Sequence, residues 1–354
     1  MSDQDIHPII FMETRSICKY YIDSYNALYQ LKTEKEEDLN SIYKMIKTEL
    51  IDSKKYPPDK ITGDILNIIE YNNRYTKSYL ELIKHIFDDY NVTEVPNIKL
   101  ALSFLFYKEY GIKLDKTVNF EKIEFNIREI HKENTIYRAI MYNDLEKFIA
   151  FTEIDGFNKD QKLISDLYPF ISCGYSLLEL CCYHGSVDCF KLLRTKFNSE
   201  ITKICLEFSF LGGNPDIMSE CLKYQTPNER CMKNAIISHN IDFVTFLMNE
   251  YNIEIDLDYC WVYNNLEAFL VYSDQINDIN KVFANSTKFN IPSLCEYYLS
   301  HGANINEKDK SGNTPLHWAT IYNNTETTEL LITNGANINE KKINMVKQLY
   351  FMQQ

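Results

Sequence analysis

Apolar residues along this chain recur at intervals of three and four rather than two. That is the spacing of a helix burying one face. Over residues 12–31 the inward candidates are Ile17, Tyr21, Leu28 and Leu31. Leu39, Ile42, Tyr43, Ile46 and Leu50 follow at i, i+3, i+4, i+7 and i+11, which predicts a second helix. The charged run from Lys32 to Asp38 between them reads as a solvated turn or helix start. Pro57 and Pro58 predict a stop, with Asp59 or Thr62 as the restart. Helical spacing continues over 65–71, over 79–90 with Leu80, Ile83 and Phe87 on one face, and over 98–107 between Pro96 and Gly111. The expectation is a helical N-terminal domain over 1–112, with the more charged stretch 113–132 as a junction.

From residue 133 a second regularity sets in. A small residue is followed four positions later by a residue suited to ending a helix, and three positions after that by an acid. Ala139, Asn143 and Glu146 form the first copy; Cys181, Gly185 and Asp188 the second; Ser209, Gly213 and Asp216 the third. Ala235, His239 and Asp242, then Cys260, Asn264 and Glu267, continue it. Ser286 and Asn290 have Ser293 in the acidic place, and Ala319, Asn323 and Glu326 close the series. The logic is that of a helix hairpin. The small residue lets two helices approach, Gly or Asn tolerates the left-handed conformation that ends the first helix, and the acid favours the start of the second. Successive ending positions lie 42, 28, 26, 25, 26 and 33 residues apart. The long first step predicts an insertion near 152–173.

The last copy is the fullest. Thr314 is placed to cap a helix, and Pro315 stands at the first helical position, where its missing N–H is harmless. Leu316 and Ala319 share a face, and His317 is expected to hydrogen-bond within the turn. Leu330, Leu331 and Ile332 give the second helix a buried side, and Gly335 can stop it. The run Ser300 to Asp309, containing Gly302, and Gly312 to His317 resemble ankyrin repeats. Across nearly its full length the chain resembles the trichomonad ankyrin-repeat proteins, in which a helical N-terminal region leads through divergent repeats into standard ones. The matching stretches are Ser24 to Tyr29, Phe106 to Asp115, Thr135 to Phe148 and Tyr175 to Gly185. The resemblance implies an all-α fold, with the helical N-terminal region continuing into an ankyrin-like solenoid of antiparallel helix pairs. Divergent repeats would occupy 133–308, a standard repeat 309–340, and a tail or cap helix 341–354. Within that tail the apolar residues of 343–351 are expected to lie over the last hairpin. The resemblance also implies a protein-binding scaffold of unknown partner with no established chemistry.

Composition adjusts this picture in two ways. A net charge of −13 over 354 residues disfavours nonspecific binding to nucleic acid or anionic membrane and favours a partner of basic character. No apolar run is long enough for a membrane helix, and no signal segment opens the chain, so an intracellular site is expected. The ten cysteines are irregularly spaced and read as small buried hydrophobes in a reducing compartment. Chemistry finds little support. His184 lies near Cys181 and Cys182, but no second cluster has ligand spacing, and no phosphate loop or nucleophile motif occurs. No cofactor, metal or catalytic residue is therefore expected. Trp261 and Trp318 are the candidate protein contacts, because large aromatics carry binding energy well. A self-associating or purely structural solenoid is the alternative, and an enzyme with an unfamiliar site has the least support.

Overall fold

The computed structural model describes residues 12–53, 56–120, 130–169, 172–276, 278–309 and 311–340. Within them the chain is all-α except for one two-residue antiparallel ladder, in which Lys162 pairs with Ser176 and Leu163 with Tyr175. A helical N-terminal region leads into a solenoid of helix hairpins. The residues group into two compact units: one takes those up to Asp23 with those from Ile255 onward, the other spans Ser24–Glu254.

In the second of these units the N-terminal helices are Glu36–Ile46, Pro58–Ile68, Thr76–Tyr90 and Leu100–Tyr110. Three details differ from expectation. The helix starting at Glu36 passes into a π-helical turn, Lys47–Ile51, whose wider loop lets both Leu50 and Ile51 be buried. Pro58 starts the next helix itself, since a first-turn position needs no N–H. The helix expected at 98–107 begins at Leu100 and runs to Tyr110, where Gly111 takes a φ of 69° and ends it. Near the chain start a turn at Cys18 separates helical residues 12–17 from the Lys19–Tyr29 helix. Tyr21, Tyr25 and Tyr29 of that helix are all buried.

Among the described residues seven hairpins follow. Their first helices are Ile136–Met141, Leu177–His184, Lys203–Gly212, Glu229–Ile237, Leu257–Val262, Ile279–Ser286 and Pro315–Ile321. Their second helices are Leu145–Thr152, Val187–Phe197, Pro215–Leu222, Ile241–Tyr251, Leu266–Gln275, Pro292–Ser300 and Thr325–Thr333. The seven positions read as helix-ending all have left-handed backbone: Asn143, Gly185, Gly213, His239, Asn264, Asn290 and Asn323, with φ between 51° and 71°. The small residue four positions earlier is buried in every hairpin. In four hairpins its carbonyl also accepts the bond that closes the turn: Asp144 N–H to Ala139, Ser186 to Cys181, Asn265 to Cys260 and Asn324 to Ala319, at 2.7–2.9 Å. The residue after the turn then caps the second helix through its side chain at Asp144, Asn214, Asn240 and Asn265.

Within Ser24–Glu254 the first four first-helices lie side by side in chain order, and the first three second helices do likewise. Turn-to-turn bonds lock the register. Asn143 Oδ1 accepts from Asp188 N–H at 3.0 Å and Asn143 Nδ2 donates to Asp188 Oδ2 at 2.7 Å, while Ser186 Oγ donates to the Ile140 carbonyl. The long step before Gly185 is taken up by residues 153–176, which carry the small ladder. In the other unit Asn324 Nδ2 donates to the carbonyls of Thr287 and Lys288, and Thr327 Oγ1 donates to Asn290 Oδ1 at 3.1 Å. The expected cap over 343–351 lies outside the described residues.

Candidate interaction surface

The repeat residues named from sequence, Gly302 apart, lie in or just after the final hairpin. Thr314 accepts the His317 N–H with its side chain, and His317 Nδ1 in return accepts the Thr314 N–H at 3.1 Å, a reciprocal cap with histidine in the usual glutamate place. Pro315 fills the first helical turn and is buried, Ala319 is fully buried, and Leu316 is half-buried. Gly302 and Gly335 sit just beyond second helices with φ of 92° and 90°. All of these positions serve the backbone and the hairpin contact.

The two tryptophans lie together. Trp318 is 7% exposed; its Nε1 donates to Asp309 Oδ2 at 3.0 Å, and its ring lies parallel to Tyr322 with centroids 5.8 Å apart. Trp261 is half-buried, and its ring centroid is 4.3 Å from that of Tyr322. Tyr322 thus joins two residues 57 positions apart in sequence. Lys288 joins the group: its ammonium is 4.4 Å from the Trp318 ring centroid and donates to Asp258 Oδ1 at 2.7 Å. The Lys288 side chain is 4% exposed and that of Asp258 72%. A buried ammonium needs such partners, since ring and carboxylate replace the water it has lost. Trp261 Nε1 also donates to Asp258 Oδ1, at 3.3 Å. Burial and the nearby Asp258 carboxylate push the Tyr322 hydroxyl above its ordinary range, so it stays neutral. Tyr322, Lys288 and Asp258 were not singled out from sequence. Lys288, Val262 and Ile321 each stand two residues after the small residue of their hairpin, but Tyr322 and Asp258 fall outside that register.

The chain's own N-terminal residues engage the ends of first helices. Within Ser24–Glu254, Tyr142 donates to Glu34 Oε1 at 3.0 Å, Tyr183 donates to the Glu70 carbonyl at 2.8 Å, and Arg74 donates to the His184 carbonyl at 2.7 Å. Gln30 Nε2 donates to the His239 carbonyl, and the Tyr29 ring stacks on that histidine at 4.1 Å. In the other unit Tyr21 donates to Asn264 Oδ1 at 2.8 Å and meets Phe289 edge-on, while Tyr297, on the second helix Pro292–Ser300, donates to Glu13 at 2.9 Å.

The groups with the most perturbed titration are structural. His184 is held far below its ordinary pKa by burial, then by the charges of Arg74 and His131, and its Nε2 meets the Tyr168 hydroxyl at 2.8 Å. Burial raises Glu70 despite its ion pair with Lys99 at 2.6 Å. The thiols of Cys189, Cys231 and Cys295 are pushed up to about 12 by burial, the opposite of an activated nucleophile. Among the described residues no group of three or more His, Cys, Asp or Glu is placed to hold a metal ion, and no helix is long and apolar enough to cross a membrane.

Two family models match parts of the chain. Residues 197–272 match a domain of unknown function (DUF3447), and residues 263–342 match ankyrin repeats (3 copies). Among solved structures, the crystal structure of the human ASB11 ankyrin repeat domain is similar at 14% identity, covering 59% of this chain and 99% of that one with a TM-score of 0.40. No curated protein matches. With the hairpin geometry and the ankyrin match over its last repeats, the chain is an ankyrin-repeat-containing protein with a helical N-terminal region.

Proposed function

We propose that this chain is a non-enzymatic scaffold that binds another protein through the first-helix, concave side of its repeat array. The observation that carries the reading is the aromatic group Trp261–Tyr322–Trp318 on the last first-helices, with half-exposed apolar neighbours at Val262 and Ile321, 46% and 43% exposed. Aromatic side chains at a rim of mixed apolar and charged groups are the usual anchors of protein interfaces. Trp261 is the better contact candidate, since Trp318 is already enclosed by Asp309, Lys288 and Tyr322. The acidic average supports a partner of basic character, and the nine buried thiols, packed as apolar core, support an intracellular site. The reading also keeps the partition into a helical region over 1–112, a junction, divergent repeats over 133–308, one standard repeat over 309–340 and a tail, together with the narrower likeness to trichomonad proteins. The test is affinity capture from the native cell with the parent chain and with Trp261→Ala, each checked for folding by circular dichroism. A protein retained by the parent and lost with the folded variant is the expected result. Capture indifferent to Trp261 counts against this surface, and reversible self-association in place of capture selects the self-associating solenoid.

A further inference from the structure

In each hairpin one residue stands two positions after the small one, on the first helix in every case but Lys288, which lies in the 3-10 turn Thr287–Phe289. At Met141, Tyr183 and Ile237 it is buried, and at Leu211 it is half-buried. Tyr183 itself donates to the Glu70 carbonyl, and two residues past Ile237 the Tyr29 ring stacks on His239. In the last three hairpins the same site holds Val262, Lys288 and Ile321, and both apolar members are almost half exposed. Ile321 shares its helix face with Trp318, at i−3, and Val262 follows Trp261 in sequence. A position buried in three of the earlier hairpins is therefore exposed at Val262 and Ile321.

The geometry points to one occupant: an amphipathic, basic helical segment of a partner protein, laid over Val262, Ile321 and the Trp261–Tyr322 pair with a cationic side chain at Asp258. This inference rests on the scaffold reading and specifies its partner. Helical form follows from the chain's own Lys19–Tyr29 helix, which sets Tyr29 on His239, two residues past Ile237. Basic character follows from charge: across 255–340 Asp and Glu outnumber Lys and Arg eleven to four, so the surface carries a strong acidic excess. Of those lysines, Lys288 is held by Asp258 and Lys308 by Glu340, which leaves little local charge to repel a cation. Asp258 is the receptor. Both of its hydrogen bonds use Oδ1, and with 72% of the side chain exposed Oδ2 is open to a donor. Lys288 already makes this kind of contact on the inner side, with its ammonium between an aromatic face and the same carboxylate. An arginine suits the outer side well, because its planar guanidinium stacks on a ring while donating to a carboxylate.

The experiment selects a displayed library of random peptides on the immobilised full chain and measures the winning peptides by tryptophan fluorescence. Trp261 and Trp318 are the two tryptophans of the sequence, so both reporters belong to the surface under test. Expected are winners with Arg or Lys one helical turn from apolar residues, an affinity that falls as salt rises, and at least about a tenfold loss in Ile321→Asp, the loss expected for a strong contact residue. Val262→Asp provides a second substitution at an exposed position should Ile321→Asp fail to fold. Winners without basic residues, or binding that both folded variants retain, overturn the proposal. So does a concentration-dependent dimer of the parent that Ile321→Asp abolishes, which assigns the stripe to a second copy. A partner captured from cells that is insensitive to Ile321 and Val262 but lost with Trp261→Ala would sink this inference while leaving the scaffold reading intact.

Discussion

A methyl group added at Gly212 would stand 2.1 Å from the Cys182 carbonyl oxygen and 2.8 Å from the Gly185 nitrogen. Both are backbone atoms, so the neighbouring turn must move. The adjacent Gly213 is the opposite case, with left-handed φ of 71° and nothing within 4 Å of an added Cβ. Gly213→Ala should cost only the left-handed strain of about 1–2 kcal/mol, and Gly212→Ala clearly more. Denaturant unfolding of the two variants checks the order, and equal losses would mean that the second and third hairpins do not approach so closely. Titration gives another test at this scale. His184 is buried, His131 is half-buried, and both are held below 6.5, so the folded chain keeps them neutral while the unfolded chain takes up protons below that pH. Their contribution is complete above 6.5 and is lost as pH falls below it. Glu70 acts the other way, because its raised pKa makes the folded state bind a proton more readily as pH drops toward 4.5. Urea midpoints should thus decline from pH 7 toward 5.5, and His184→Gln should flatten that slope.

At the scale of the hairpin, the cap and the small residue can be tested separately. Thr314→Ala removes the acceptor for the His317 N–H and should cost about 0.5–2 kcal/mol. Ala319→Leu forces methylenes into a fully buried contact and should cost about 1–3 kcal/mol, with amide exchange rising mainly in Pro315–Ile321 and Thr325–Thr333. An Ala319→Leu variant that melts like the parent would place that residue outside the hairpin contact. These elements were legible because their chemistry is local. Only a few residue types accept a left-handed turn cheaply, and Gly, Asn and one His mark all seven. Less local features were hidden. The π-turn after Ile46 depends on which of Leu50 and Ile51 finds a core, and helical spacing alone counts only one of them. The capping residues at Asp144, Asn214, Asn240 and Asn265 were within reach, as each directly follows a turn residue already marked. The Trp261–Tyr322–Lys288–Asp258 group was out of reach, because it depends on three hairpins being in register.

On the scale of the whole molecule, the repeat array departs from a nearest-neighbour solenoid. In such an array each hairpin answers mainly to the next, and stability adds repeat by repeat. Here contacts from the chain's start fasten hairpins that lie far off in sequence: Tyr21 bonds Asn264 243 residues away, and Glu13 accepts from Tyr297 284 residues away. Such closures are entropically slow to form, since the whole intervening chain must be placed first. Once formed, they tie separate hairpins into one cooperative unit. Tyr21 is the strongest case, being 1% exposed, hydrogen-bonded to the turn residue Asn264 and edge-on to Phe289 of the next hairpin. Tyr21→Ala removes a buried aromatic and should cost about 3–5 kcal/mol within its unit. Tyr21→Phe keeps the ring and should cost about 1 kcal/mol, the net worth of the lost hydrogen bond. Amide exchange then separates two kinds of array. If Tyr21 is a cross-link, Tyr21→Ala accelerates exchange together in Leu257–Val262, Ile279–Ser286 and Pro292–Ser300, while amides of Ser24–Glu254 keep their protection. If exchange rises only in the Lys19–Tyr29 helix, the hairpins stand on neighbour contacts alone and the closure adds nothing to them.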